Sequence, residues 1–251
     1  MRRLALLLAT LLAGVTGADA EEVVAGLSQD AINITANFEG SEILIFGAVS
    51  RIAPAPEGDL EVIITVEGPS LPVAVRRKDR RFGIWVNTDA IEVDAAPSFY
   101  AVATTSPFRD VISATEDLRH RVSIPRAIRA VGVGVADGAA FTRALIRIRE
   151  SEDLYQLNEG AVTLRNETLF DTSIQLPANL VEGDYRTRII LTRGGAVLDV
   201  YEQDIAVRKV GLERFIYNLA HERPLVYGIL SLTIAILAGW MASAVFRYIR
   251  A

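Results

Sequence analysis

From Leu225 to Phe246 the chain runs for 22 residues without one charged side chain. At about 1.5 Å per residue such a helix is roughly 33 Å long, enough to cross the hydrocarbon core of a bilayer. Arg223 closes one side, and Arg247 and Arg250 close the other. Tyr227 sits near one interface and Trp240 and Tyr248 near the other, where amphipathic rings prefer to lie. Pro224 suits the first helical position, which needs no backbone donor. The reading is a transmembrane helix over 224–246 with a cytoplasmic tail over 247–251. Within the span Ser231, Ala235, Gly239 and Ser243 recur every fourth residue. Small side chains along one stripe let helices approach closely in lipid, which makes these four a candidate contact for a membrane-protein partner or a second copy of this chain.

The other end carries an address. Arg2 and Arg3 precede an uncharged Leu4–Val15 core, and Ala18-Asp19-Ala20 has the small-residue spacing of a cleavage site. Residues 1–20 are therefore expected to be a cleaved signal peptide, with Glu21 as the first mature residue. A cleaved signal places the bulk of the chain outside and the basic tail inside, in agreement with the positive-inside tendency. The expected location is a bacterial inner (plasma) membrane, single-pass, with the N-terminal domain periplasmic.

Composition then narrows the chemistry. There are no cysteines and only two histidines, His120 and His221. Disulfides, thiol nucleophiles, thiolate metal sites and multi-histidine centres are excluded. The net charge is −5, becoming −6 once Arg2, Arg3 and Asp19 are removed, which speaks against nucleic acid as a partner. No G-x-S-x-G elbow, H-E-x-x-H, Walker loop or EF-hand spacing is present. The pairs Glu92/Asp94 and Asp59/Glu61 read as ordinary strand carboxylates before they read as calcium ligands or an acid–base couple. No catalytic, metal-binding or cofactor-binding residue is assigned, and no cofactor is expected.

Between the two ends the chain is mainly β with some α. Short β-like runs fill 21–105, ending with Phe82–Val86 and Phe99–Ala103, and are separated by turn residues such as Gly40-Ser41 and Gly68-Pro69. Helical periodicity follows in Phe108–Leu118 and Ala139–Tyr155, where Phe141, Leu145, Ile148 and Tyr155 share a face and Asp137 or Gly138 opens the helix. Strands return over Leu169–Leu176, Asp184–Thr192 and Val197–Val207, with Gly194-Gly195 as a two-residue hairpin loop. The expected fold is a periplasmic β-sandwich-like (immunoglobulin-like) set of strands with a central helical segment, plus one C-terminal transmembrane helix. The segments are an N-terminal β-rich domain (21–105), a helical connection (106–158), a C-terminal β-sheet segment (159–210) and a juxtamembrane amphipathic helix (211–223). Leu212, Phe215, Ile216 and Leu219 give that last helix its apolar face.

One surface feature stands out. Arg76, Arg77, Lys78, Arg80 and Arg81 place five positive charges in six residues, around Asp79. They are expected at a hairpin tip, as a candidate contact for an anion or a partner's acidic patch.

An ordered set of short stretches resembles a known family. It includes Gly26-Leu27-Ser28, Phe38-Glu39-Gly40-Ser41, Phe46-Gly47-Ala48 and Gly68-Pro69. Val75-Arg76-Arg77-Lys78, Gly83-Ile84-Trp85-Val86-Asn87 and Pro97-Ser98-Phe99-Tyr100 continue it, followed by Leu176-Pro177, Gly183-Asp184-Tyr185 and Tyr227-Gly228. From about residue 22 to 250 the chain resembles the alphaproteobacterial transmembrane family Alph_Pro_TM, a group without an established activity. The resemblance implies a bacterial inner-membrane protein with a periplasmic domain, and a sulfite-exporter-type permease as a partner.

The functional expectation is a non-enzymatic, membrane-anchored periplasmic interaction or assembly module, accessory to an inner-membrane permease. The alternative is a small-anion-binding receptor or accessory domain centred on Arg76–Arg81, with an enzyme third. A broad apolar patch would favour the first; a cleft of convergent polar groups would favour the others.

Overall fold

Inward-pointing β-branched residues organise two sheets. The computed structural model describes residues 21–35, 38–52, 56–129 and 138–250. The expected signal peptide, including Ala18 and Ala20, lies outside these, and Glu21 opens the first strand. Among the described residues strand outweighs helix, which makes the fold mainly β.

The first sheet has the order β1-β3-β10-β9. Its strands are β1 (Glu21–Leu27), β3 (Ser41–Arg51), β10 (Leu169–Leu176) and β9 (Thr163–Arg165), all antiparallel. Alternation puts Val23, Ile43, Ile45, Val49, Phe170 and Ile174 on its buried face. The second sheet has the order β2-β12-β11-β4-β7-β8. It comprises β2 (Ala31–Ile34), β12 (Ala196–Lys209), β11 (Gly183–Arg193), β4 (Leu60–Glu67), β7 (Tyr100–Thr104) and β8 (Tyr155–Asn158). Its central strands are near-continuous apolar runs because both their faces are covered. One face meets the first sheet, where Arg193 of β11 reaches Glu21 of β1 and the Val23 amide donates to Asp199. The other is capped by three short helices, α1 (Phe108–Val111), α2 (Ala114–His120) and α3 (Ile124–Ala127). Thr192 donates to the Val111 carbonyl (2.6 Å), Tyr100 to the Val122 carbonyl (2.8 Å) and Arg188 to the His120 carbonyl (2.7 Å), which fastens this layer to the sheet.

Both sheets draw strands from 21–105 and from 159–210, so these two segments interleave in one compact unit formed by residues through Ile32 and by Glu39–Val207. Gly194 and Gly195, at φ +56° and +78°, close the β11–β12 hairpin, with Arg193 opposite Ala196. Between β4 and β7 the chain makes an excursion: β5 (Ser70–Arg81) and β6 (Ile84–Pro97) pair with each other as a two-stranded arm, whose root is held by an isolated bridge from Ala95 to Arg129.

The helical stretch departs from expectation in two places. Phe108–Leu118 is not one helix. Ile112 and Ser113 are extended, and the Ser113 side chain caps α2 by accepting from the Glu116 amide. The second helix, α4 (Gly138–Ser151), begins at Gly138, and Asp137 lies outside the described residues. Phe141 and Leu145 are buried as expected, but Tyr155 does not share their helix. The chain reverses at Asp153 (φ +58°), and Tyr155 starts β8, parallel to β7 with Tyr100 opposite Tyr155. The connection over 106–158 therefore ends in a strand.

The second unit comprises 33–38 and the chain from Arg208 onward. Here α5 (Leu212–Glu222) follows Gly211, whose φ of +130° suits glycine. The side chains of 212–215 lie outside the described set, while Ile216 and Tyr217 are exposed. Then α6 (Pro224–Arg250) contains a 22-residue apolar stretch, Pro224–Val245, of mean hydropathy 2.0, long and apolar enough to span a bilayer.

Candidate functional site

The basic run forms one strand of the arm, and the turn itself is Phe82-Gly83. Arg81 pairs with Ile84, Arg80 with Trp85, Asp79 with Val86 and Lys78 with Asn87; a bulge falls between Arg77 and Lys78. All five basic side chains are exposed. Two have neighbours within the arm or beside it. Arg77 lies 3.7 Å from the Asp89 carboxylate and 4.8 Å above the Phe141 ring, and Arg81 lies 3.8 Å from Asp79. Phe82 takes φ +49° ahead of Gly83 at +85°. These are the angles of a tight hairpin turn that Asn or Asp normally fills. Phe82, Ile84 and Trp85 are 105%, 64% and 68% exposed. The sequence reading placed Phe82 inside a strand because aromatic residues favour strands.

A second surface went unnoticed in the sequence. On the outer face of the first sheet, Val24, Ala48 and Leu169 stand opposite one another, and Phe46 lies across Gly26. Val24, Leu44, Phe46 and Leu169 are all exposed. Val24, Phe46 and Leu169 border a groove of ≈ 480 Å³ whose rim carries the Arg165–Asp171 ion pair at 3.2 Å, and Leu44 stands on the same strand two residues before Phe46. The signal was present as misplaced apolar residues. In β3 the inward set Ile43-Ile45 and the outward set Leu44-Phe46 are both hydrophobic, which a one-sided strand does not require.

The polar groove of the domain is of another kind. A recess of ≈ 680 Å³ is bordered by Glu39, Glu42, Asp153, Gln156, Asn158 and Gln175. Its amides hold the backbone: Gln156 donates to the Asp153 carbonyl (2.9 Å) and the Gln175 carbonyl (3.0 Å), tying β8 to β10. Among the described residues no three His, Asp or Glu side chains gather as metal ligands. Of the carboxylates weighed above, Glu61 accepts from Thr105 and from Ser106 (2.9 Å), which ties β4 to the chain after β7. His120 lies 3.3 Å from Glu116.

Three tyrosines have raised titrations, and burial is the main cause in each; the Tyr185 hydroxyl donates to the Val181 carbonyl (2.8 Å). Burial pushes the Tyr100 and Tyr155 hydroxyls up to about 12, and each donates to a carbonyl, Tyr100 to Val122 and Tyr155 to Pro97. Such phenols stay protonated at neutral pH and serve as donors that hold the fold. A buried charge cluster was also missed. Glu21 sits between Arg51 (2.6 Å) and Arg193 (2.9 Å), with Glu167 3.7 Å from Arg51. Burial on its own would raise the Glu21 carboxyl, but the hydrogen bonds and charges of the two guanidinium groups hold it below the usual carboxylate range. These partners lie up to 172 residues away in sequence, and no local pattern announces them.

In α6, Ser231, Ala235, Gly239 and Ser243 fall along one exposed side of the helix, and a side chain added at Gly239 would meet nothing within 4 Å. The arm, the apolar face and the small-residue stripe of this helix all lie within residues 22–248, the region matched by the model of the family described as "Putative transmembrane protein (Alph_Pro_TM)". The chain belongs to this family. No curated protein matches it. Family membership and the apolar helix agree on a membrane-anchored protein, and the strands make its remaining part β-rich.

Proposed function

We propose that this Alph_Pro_TM protein is a non-enzymatic interaction module, held at the inner membrane by α6, with its β-sandwich in the periplasm. Its partner is a membrane protein that the sandwich engages through the outer face of the first sheet. The exposed apolar set Val24, Leu44, Phe46 and Leu169 carries this reading. A soluble face has no need of four such side chains on one sheet, three of them around one groove, and contiguous apolar patches mark protein contacts. A sulfite-exporter-type permease is the partner that the family resemblance implies, and the small-residue stripe of α6 offers a second contact in the bilayer. The small-anion receptor is the weaker reading: the basic residues stand exposed on a two-stranded arm, and small-molecule sites are concave.

The test is affinity purification of the full chain from native membranes, wild type against Phe46→Glu. The outward charge should abolish co-purification of the partner while leaving the melting temperature nearly unchanged, since exposed substitutions are usually worth less than about 0.5 kcal/mol. Retention of the same partner by Phe46→Glu would remove this face from the account.

A further inference from the structure

We infer that the distal end of the β5–β6 arm is a lipid-binding element that inserts its turn into the surface of a bilayer carrying anionic headgroups. Four observations within the sandwich unit converge on it. First, the arm is graded along its length. Phe82, Ile84 and Trp85 occupy the turn and its first pairs, and Lys78, Arg80 and Arg81 stand at and behind them. That order matches the depth profile of a membrane interface, with apolar and aromatic side chains deeper and cations at the headgroups. Second, the charge is local and opposite in sign to that of the whole chain. Residues 76–89 carry five basic and two acidic side chains, a balance of +3, in a protein of net charge −5. Third, Phe82 holds a left-handed backbone conformation at φ +49° with its ring in solvent. An aromatic residue there strains the turn and gains no packing within the chain, and such strain concentrates where function demands a particular side chain. Fourth, the arm springs from the end of the sandwich that hands the chain on to the anchor. Val207, where this unit ends, pairs with Gly183, and Gly183 packs against Pro69 at the root of β5. Arg76–Arg81 adds roughly 20 Å of reach at about 3.3 Å per residue. Ion pairing within the arm leaves the cationic character in place: Asp79 and Asp89 offset two of the five charges, and Arg80 makes no ion pair among the described residues.

The experiment uses the full chain carrying Trp240→Phe, which leaves Trp85 as the sole tryptophan. It is reconstituted in vesicles of brominated phosphatidylcholine, with or without phosphatidylglycerol. Trp85 fluorescence should be quenched and shifted to the blue, more strongly with phosphatidylglycerol and less at high salt. Adding Arg80→Gln and Arg81→Gln should move the inserted-to-free ratio by roughly thirty-fold, at about 1 kcal/mol for each basic residue near an anionic surface. A second variant, Phe82→Asn, separates lipid contact from folding. Asn suits the turn, so the melting temperature should hold or rise while quenching is lost. Solvent-like, unquenched Trp85 in both lipid compositions would overturn the inference. So would quenching unchanged in Phe82→Asn, or protection of Trp85 that appears only when other membrane proteins are present, which would make the arm a protein contact.

Discussion

Neutralising Glu21 should destabilise the domain more than any surface change, because it strands a buried guanidinium. The Glu21 and Arg193 side chains are 3% and 7% exposed, and Arg193 Nη2 touches both carboxylate oxygens, at 2.9 and 3.2 Å. Removing one partner of a buried pair typically costs ~3–5 kcal/mol. Here Arg193 keeps the Pro56 and Gly58 carbonyls and has Glu167 at 3.9 Å, which places Glu21→Gln at the low end, about 3 kcal/mol. For a domain of this size that corresponds to a fall in Tm of roughly 6–12 °C. The double variant Glu21→Gln, Arg193→Met should recover part of the loss, since the buried guanidinium is gone and Arg51, 18% exposed, keeps Glu167 at 3.7 Å. The pH dependence has a definite sign. The folded carboxyl titrates below its ordinary value, so its stabilisation is complete above the unfolded value of about 4.3 and is lost as pH falls through the lower folded value. Circular dichroism melts of the detergent-solubilised full chain at neutral and acidic pH read both effects. The gap between wild type and Glu21→Gln should close as pH falls. A Tm within about 1 °C of wild type at neutral pH, far short of the fall expected for ~3 kcal/mol, or a gap that widens in acid, would refute the reasoning.

Other outcomes follow from the same geometry. Tyr100 and Tyr155 have hydroxyls raised to about 12, so the folded state holds protons that the unfolded state releases from about 10 upward; stability should fall as pH rises across that window, and an ultraviolet phenolate titration should show a late-ionising fraction that Tyr100→Phe and Tyr155→Phe reduce. Protease added to spheroplasts should digest residues 21–223 and spare the span; a protected full-length product would reverse the proposed orientation. Gly239→Ile should weaken assembly with a partner helix without preventing insertion, whereas Leu237→Val should do much less, as read by crosslinking in native membranes at matched expression. A wild-type level of complex in Gly239→Ile would reduce the stripe to lipid-facing residues.

What was legible in the sequence was what is local. The unbroken run after Pro224 forms α6, and Gly194-Gly195 closes a hairpin because both residues take positive φ at little steric cost. Leu169–Leu176 alternates as expected and is the strand β10. The break before α2 was legible too, since Ser113 stands three residues ahead of Glu116 in the pattern of a capping box, but helical periodicity outweighed it. Tyr155 fell in phase with Phe141 and Leu145, yet Asp153 reverses the chain two residues earlier, and periodicity has no means of registering a positive φ at a non-glycine residue. For the candidate sites, the basic residues were visible as a charge run, while the turn at Phe82 was hidden because its aromatic side chain reads as strand. The outer apolar face exists only after β1, β3 and β10 are assembled, with Leu169 more than a hundred residues from Val24. The Glu21–Arg193 pair is equally a product of topology: a glutamate beginning a strand reads as surface until β11 is laid behind it.

The most direct test of the proposed role is site-specific photocrosslinking on the outer face of the first sheet. A photoreactive side chain would be placed at Phe46 or Leu169 in the full chain expressed in its native membrane, with Glu22 and Gln175 as exposed controls on the same sheet. The account predicts one discrete adduct with an integral membrane protein from both apolar positions, absent from the controls and absent when Val24→Asp is added. Adducts of equal intensity at all four positions, or none at Phe46 and Leu169, would contradict the claim that this face is the interaction surface.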